Sequence, residues 1–398
     1  MALATRLENL GTETAFAVSM AAAEWAGKGN KVYPFHLGDL NLPTPSNVVR
    51  AMNAAIADGK TGYCAAAGIA PLREALADDV GARRGLSYAP GNVVVQTGGK
   101  PVITKFIQTV MNPGDEVLYP NPGYPIYESQ IEYFGGVAKA YRYLPTPTGF
   151  SIDIEQIRSL ITPKTKAIFY NDLQNPLGCE STDAEREAIA ELAIANNLWV
   201  LSDEAYFEMR YSGSSKSIAS LPGMQQRTVI LYTFSKKFAM TGWRLGAAIA
   251  PLHIADAIAK LNTNDESCTT HFVQHAGVEG IRGDQTEALA MIDVLRNRRD
   301  AAVDLLQSTK GIIVPRPEAT FYLFADVTAT MNNMGFSDVG EFATAALHNT
   351  GVSFCTRRHF GRPQAVETQN YVRFAYSGIN GEEITEGLGK LKNWIEAA

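Results

Sequence analysis

The sequence predicts an α/β protein: a mainly parallel open sheet flanked by helices, with a smaller α+β domain formed by both chain ends. Three observations predict it. Between about residue 50 and residue 290, short apolar runs at 93–97, 116–120, 166–170, 198–203, 228–234 and 246–250 alternate with helical patterns. The runs are nearly continuous in apolar residues, as strands buried on both faces are when helices cover each side of a sheet. The chain ends differ, with a Pro-rich connector "HLGDLNLPTP" near the start and more alternating strands near the finish. A chain of 398 residues, 46% hydrophobic and 19% charged, has material for one large unit and a smaller one.

In order along the chain, residues 1–45 carry a helical stretch and the connector, and form the first part of the small domain. Residues 46–290 form the large domain. Within it, "TDAEREAIAELAIANN" (182–197) opens with Thr182 or Asp183 as a cap and spaces its apolar residues at three and four, an amphipathic helix. Residues 291–398 complete the small domain. There "MIDVLRNRRDAAVDLLQS" reads as a long helix, "TFYLFADV" and "NYVRFAYS" as strands, and the chain closes on a helix.

Composition narrows the function. A net charge of −6 argues against nucleic acid and against a basic membrane-binding face. No run of about 18 apolar residues predicts a membrane span, and "MALATRLENL" lacks the pattern of a signal peptide. Cys64, Cys179, Cys268 and Cys355 are scattered without a CxxC pair, which fits a reducing cytoplasm. His271 and His275 lack the glutamate of a zinc motif and read as helix-face residues, so no metal is expected.

In an open parallel sheet, ligands bind outside the carboxyl ends of the strands. Thr97-Gly98-Gly99-Lys100 follow the first run, and Asn121-Pro122-Gly123-Tyr124 the second. Asn171 and then Asn175 follow the third, Asp203-Glu204 and Tyr206 the fourth, and Ser235-Lys236 the fifth. The set suits one anionic aromatic cofactor. The Gly98-Gly99 turn leads into a helix whose free N–H groups attract a phosphate. Arg244 adds a bidentate contact and Thr233 a hydroxyl. Asp203 holds a ring nitrogen protonated, Asn175 and Tyr206 bond a ring hydroxyl, and Tyr124 stacks on the ring. A lysine amine completes a Schiff base to an aldehyde. Taken alone, each residue has a plainer reading: a strand-end lysine is ordinarily solvated, and Asp203-Glu204 can simply start a helix.

"SKKFAMTGWRLG" resembles the lysine signature of the class I/II aminotransferases, the fold-type I pyridoxal-phosphate enzymes typified by aspartate aminotransferase. "FHLGDLNLPTP", "GYCAAAGIAPLREALA", "QTGGKPV", "MNPGDEVLYPNPGYPIY", "NPLG", "SDEAYF" and "YVRFAYS" fall in the family's order. The resemblance implies transfer of an amino group between an L-amino acid and a 2-oxo acid with pyridoxal 5'-phosphate. It places the Schiff-base lysine at Lys236 and the phosphate arginine at Arg244, and leaves Lys237 solvated or paired with a surface carboxylate. It implies the ring-nitrogen partner at Asp203, the ring-oxygen partners at Asn175 and Tyr206, the stacking ring at Tyr124, and the phosphate turn at Gly99 and Lys100. Arg373 resembles the arginine that grips the substrate α-carboxylate, with Gly38 closing that pocket. Tyr63 resembles the tyrosine that reaches the neighbouring subunit's cofactor, which implies a homodimer with shared sites.

The chain departs from the family in places. Leu177 replaces the usual threonine of "NPTG", and "CTRRHFG" puts Thr356-Arg357 where Pro-Gly is usual. Glu13 would oppose an anionic substrate side chain. Lys100 together with Arg357 or Arg358 is expected to contact that side chain. The same motifs also serve lyases acting by β- or γ-elimination, and a ligand-sensing protein on this fold is a further alternative.

Overall fold

Five strands run parallel side by side, and their order decides where a ligand can sit. In the computed structural model, which describes residues 3–11 and 14–398, they are Thr228–Thr233, Trp199–Asp203, Thr165–Asn171, Glu116–Pro120 and Val137–Tyr141, in that spatial order. Gly246–Ile249 pairs antiparallel with Thr228–Thr233 on one side and with Val93–Gln96 on the other, completing a seven-stranded sheet. All six apolar runs are strands of this sheet, within a residue or two of their expected limits. Val137–Tyr141 was not among them: it is an edge strand, largely half-exposed, so its residues carry no continuous apolar signal.

Apolar residues fill both faces of the sheet, as its unbroken runs require. Val93, Val95, Ile230, Tyr232 and Phe234 pack on one side with Leu72, Leu76 and Val273 from helices Ala70–Arg84 and His271–Arg282. Val94, Val117, Leu201, Val229 and Leu231 pack on the other with Ile103 and Phe106 of helix Lys100–Val110. Each fully buried side chain of this kind contributes about 1.5–3 kcal/mol. The helix expected over 182–197 spans Asp183–Ala195. Thr182 caps it: its hydroxyl accepts from the Glu185 N–H at 3.2 Å, and Glu185 returns a bond to the Thr182 N–H at 2.7 Å.

The chain ends meet in a second layer. Tyr322–Asp326, Tyr371–Ala375 and Cys355–Thr356 form a three-stranded antiparallel sheet, and Tyr33–Pro34 pairs in parallel with Val352–Ser353. Tyr33 and Phe35 share a core with Leu295, Phe321, Phe374 and Leu388. The long helix spans Thr286–Gln307, beginning a few residues before its expected start, and the closing helix spans Gly381–Glu396. Among the described residues no helix is long and apolar enough to cross a membrane.

Candidate active site

A cavity of about 360 Å³ lies at the carboxyl ends of the parallel strands, against the second layer. Asp203 and Thr233 end neighbouring strands, and both face it. The Asp203 carboxylate is buried; it accepts a hydrogen bond from the Tyr127 hydroxyl at 2.5 Å and one from the Ala205 N–H at 3.1 Å. Burial pushes its pKa above the ordinary value, against the pull of those two bonds. Tyr127 was not singled out from sequence. Its place three residues after Tyr124, across the start of helix Ile126–Tyr133, was the available signal.

Lys236 lies on the cavity wall, half-buried, and its Nζ donates to the Gly38 carbonyl at 2.9 Å. Its pKa falls to about 8, chiefly through burial; Arg373 and Arg244 add to the fall, while Asp39 and Asp203 resist it. Gly38 has no room for a side chain, because a Cβ there would lie 2.1 Å from the Tyr322 hydroxyl. That hydroxyl in turn bonds Tyr206 at 2.7 Å.

Another part of the cavity wall is a cradle of donors. Helix Lys100–Val110 starts directly after Gly99, so its N-terminus is at the cavity. Gly98 has φ +99°, and a Cβ there would sit 2.2 Å from Arg244 Nη2, so only glycine fits beside the guanidinium. The Ser235 N–H donates to Thr233 Oγ1 at 3.2 Å, which donates to Ser235 Oγ at 2.9 Å. A guanidinium, two hydroxyls and a helix N-terminus on one edge fit a phosphate.

Arg373, on strand Tyr371–Ala375, lies between the rings of Tyr322 and Phe360, with its guanidinium carbon 4.4 and 4.6 Å from their centroids. Nη1 donates to Asn175 Oδ1 at 3.0 Å and Nη2 to the His36 carbonyl at 2.8 Å. The Asn175 N–H donates to Asn171 Oδ1, whose amide donates to the Asp203 carbonyl at 2.9 Å. One chain of bonds thus links the arginine to the acid.

The pattern of the family "Aminotransferase class I and II" matches residues 30–391. The chain belongs to the class I and II aminotransferases. A probable aspartate/prephenate aminotransferase of Aquifex aeolicus is 31% identical over 99% of this chain and 98% of its own length. Among solved structures, an alanine aminotransferase from Pyrococcus furiosus matches with a TM-score of 0.92, 26% identity and full coverage of both chains. Aspartate aminotransferase from Thermus thermophilus, solved with maleate, matches with a TM-score of 0.90, 29% identity and 99% coverage of each chain. The family implies pyridoxal 5'-phosphate, and the phosphate cradle, the buried Asp203 and the lysine amine between them fit that group.

The aminotransferase brings Gly38, Gly99, Lys100, Tyr124, Asn175, Asp203, Tyr206, Thr233, Lys236, Arg244 and Arg373 to one cavity. Tyr63 is not there: it is 88% exposed and does not line the cavity. Lys237 is not solvated; it is buried and pairs with the largely buried Glu208 at 3.1 Å. Neither arginine of "CTRRHFG" lines the cavity. Arg357 is buried and donates to both Glu367 oxygens, to Asn121 Oδ1 and to the Phe360 and Gly361 carbonyls, which uses up its fork. Arg358 is exposed and pairs with Asp338 at 2.5 Å. The expected contact of either with a substrate side chain is corrected on this ground. Leu177 is buried in an apolar core, which accounts for the lost hydroxyl. Glu13 lies outside the described residues.

Sequence reasoning also passed over His359, which lines the cavity next to Phe360. It closes the short turn Arg357–His359, and its Nδ1 lies 3.0 Å from the Thr356 N–H. Burial, with Arg373 and Arg358 nearby, lowers its pKa below the usual imidazole value, against a raising contribution from the Thr356 carbonyl. A histidine in a turn carries no periodic signal.

Proposed function

We propose that this aminotransferase moves an amino group between an L-amino acid and a 2-oxo acid, with pyridoxal 5'-phosphate attached at Lys236. The observation that carries this reading is the placing of the Lys236 amine and the Asp203 carboxylate on the walls of one cavity, Asp203 at the end of one strand and Lys236 in the turn that follows its neighbour. When bound, the cofactor supplies an aldehyde and an electron-withdrawing ring. Asp203 would keep a proton on the ring nitrogen, and Tyr127 holds Asp203 in place. Tyr206 and Asn175 would bond the ring oxygen, and Tyr124 would pack on the ring. Gly99, Lys100, Thr233 and Arg244 would hold the phosphate.

Arg373 takes the substrate α-carboxylate, with Gly38 closing that side. Lys236 would move the Cα proton of the substrate; a pKa near 8 leaves a useful neutral fraction of its amine at neutral pH. Tyr63 reaches out of its own subunit toward the partner's phosphate in a homodimer, and its exposure supports that reading. The names of the relatives divide among aspartate, prephenate and alanine, so the donor has to be read from this chain's own side-chain wall.

Borohydride reduction followed by peptide mapping tests the attachment, with the label expected at position 236. Lys236→Ala is expected to keep the fold and lose at least about 10³-fold in transamination. A label elsewhere, or a variant that turns over at the wild-type rate, refutes the reading.

A further inference from the structure

We propose that His359 selects the amino donor by donating its Nε2–H to an acceptor atom on the substrate side chain, which favours amide- and carboxylate-bearing amino acids over aliphatic ones of the same shape. The inference rests on the aminotransferase reading of the cavity and deepens it. The Thr356 N–H, 3.0 Å from His359 Nδ1, can only donate, while the Thr356 carbonyl, 3.1 Å from the same nitrogen, can only accept; we assign Nδ1 as the acceptor because two donors face it against one acceptor. Thr356 Oγ1, also at 3.0 Å, can donate to the same lone pair. The neutral ring then carries its proton on Nε2.

Nε2 has no hydrogen-bond partner among the described residues, and it is not among the buried orphan atoms. A donor that is neither paired nor sealed off, on a residue lining the cavity, is available to a ligand. Its position in the site is also suitable. Phe360, the next residue, stacks on Arg373, so His359 stands beside the grip proposed for the α-carboxylate.

The turn is stiff. Behind it, Arg357 ties Glu367, Asn121 and two carbonyls of the turn together, so the arginines expected at the substrate instead hold or flank the histidine that faces it. Phe16, Leu37 and Phe360 contribute apolar surface to the same cavity. Against such surface, a single neutral donor distinguishes a side chain with a carbonyl oxygen from its methyl isostere, because the isostere leaves the N–H unpaired.

Succinamate and 4-methylpentanoate are asparagine and leucine without their amino groups, and differ only in replacing the amide by two methyls. Calorimetric Kd values for both on the cofactor-loaded protein give a preference ratio. His359→Asn keeps an oxygen where Nδ1 accepts from Thr356 and removes the Nε2 donor. His359→Gln restores an N–H at about the reach of Nε2. The ratio is expected to fall about tenfold toward the aliphatic ligand in His359→Asn and to recover most of that in His359→Gln. The ratio of kcat/KM for asparagine over leucine is expected to move in step.

An unchanged ratio in His359→Asn overturns the proposal. So does an equal fall in both variants, which would mark a purely structural turn. Either result leaves the aminotransferase reading standing, since that fails only if the label misses Lys236.

Discussion

At Asp203, burial and hydrogen bonding act in opposite directions, and Tyr127 supplies the stronger of the bonds opposing burial. Tyr127→Phe removes that bond and leaves the packing ring. The carboxyl pKa should then rise further, and kcat should fall by about 10- to 100-fold with little change in melting temperature. A kcat equal to wild type would show that the hydroxyl does not tune the acid. Lys236 gives the pH counterpart. Its folded pKa of about 8 lies below the ordinary lysine value of 10.5, so between those values the folded chain binds fewer protons than the unfolded one. Burying the amine therefore destabilises the cofactor-free protein fully below about pH 8, by at most about 3 kcal/mol before screening by water in the cavity. That penalty fades as pH rises toward 10.5. Melting temperatures of cofactor-free wild type and Lys236→Met should converge from pH 8 to 10; a constant gap would contradict the lowered pKa.

Among the elements, the turn between strand Val93–Gln96 and helix Lys100–Val110 has the least tolerance. Gly98→Ala puts a methyl against the Arg244 guanidinium at a left-handed φ, so phosphate affinity should drop at least tenfold, measured as cofactor Kd. Unchanged affinity would mean that the cradle adapts. Strand ends were where the sequence was most legible, because runs buried on both faces stand out and polar residues follow each one. Strand direction was less so. Gly246–Ile249 is small, apolar and wholly buried, and nothing in such a segment says that it runs against its neighbours. Tyr127 and His359 were missed because their importance comes from a hydrogen bond or from the lack of one. Arg357 was misplaced because its partners Asn121 and Glu367 come from distant or irregular segments.

For the molecule as a whole, the exposed Tyr63 ring matters most for assembly. If the site is shared as proposed, sedimentation should show a dimer, and Tyr63→Phe should weaken cofactor binding several-fold without changing the mass; a monomer with full affinity would exclude the shared site. The parts that hold a ligand also come from separate hydrophobic cores. Tyr322 and the neighbours of Arg373 belong to the core built from both chain ends, while the strands that lead to Asp203 and Lys236 run through the others. A small acid seated between them works as a rivet through two plates. Because its binding energy is lost when either plate loosens, occupancy should slow amide exchange even in helix Gly381–Glu396, whose residues do not line the cavity.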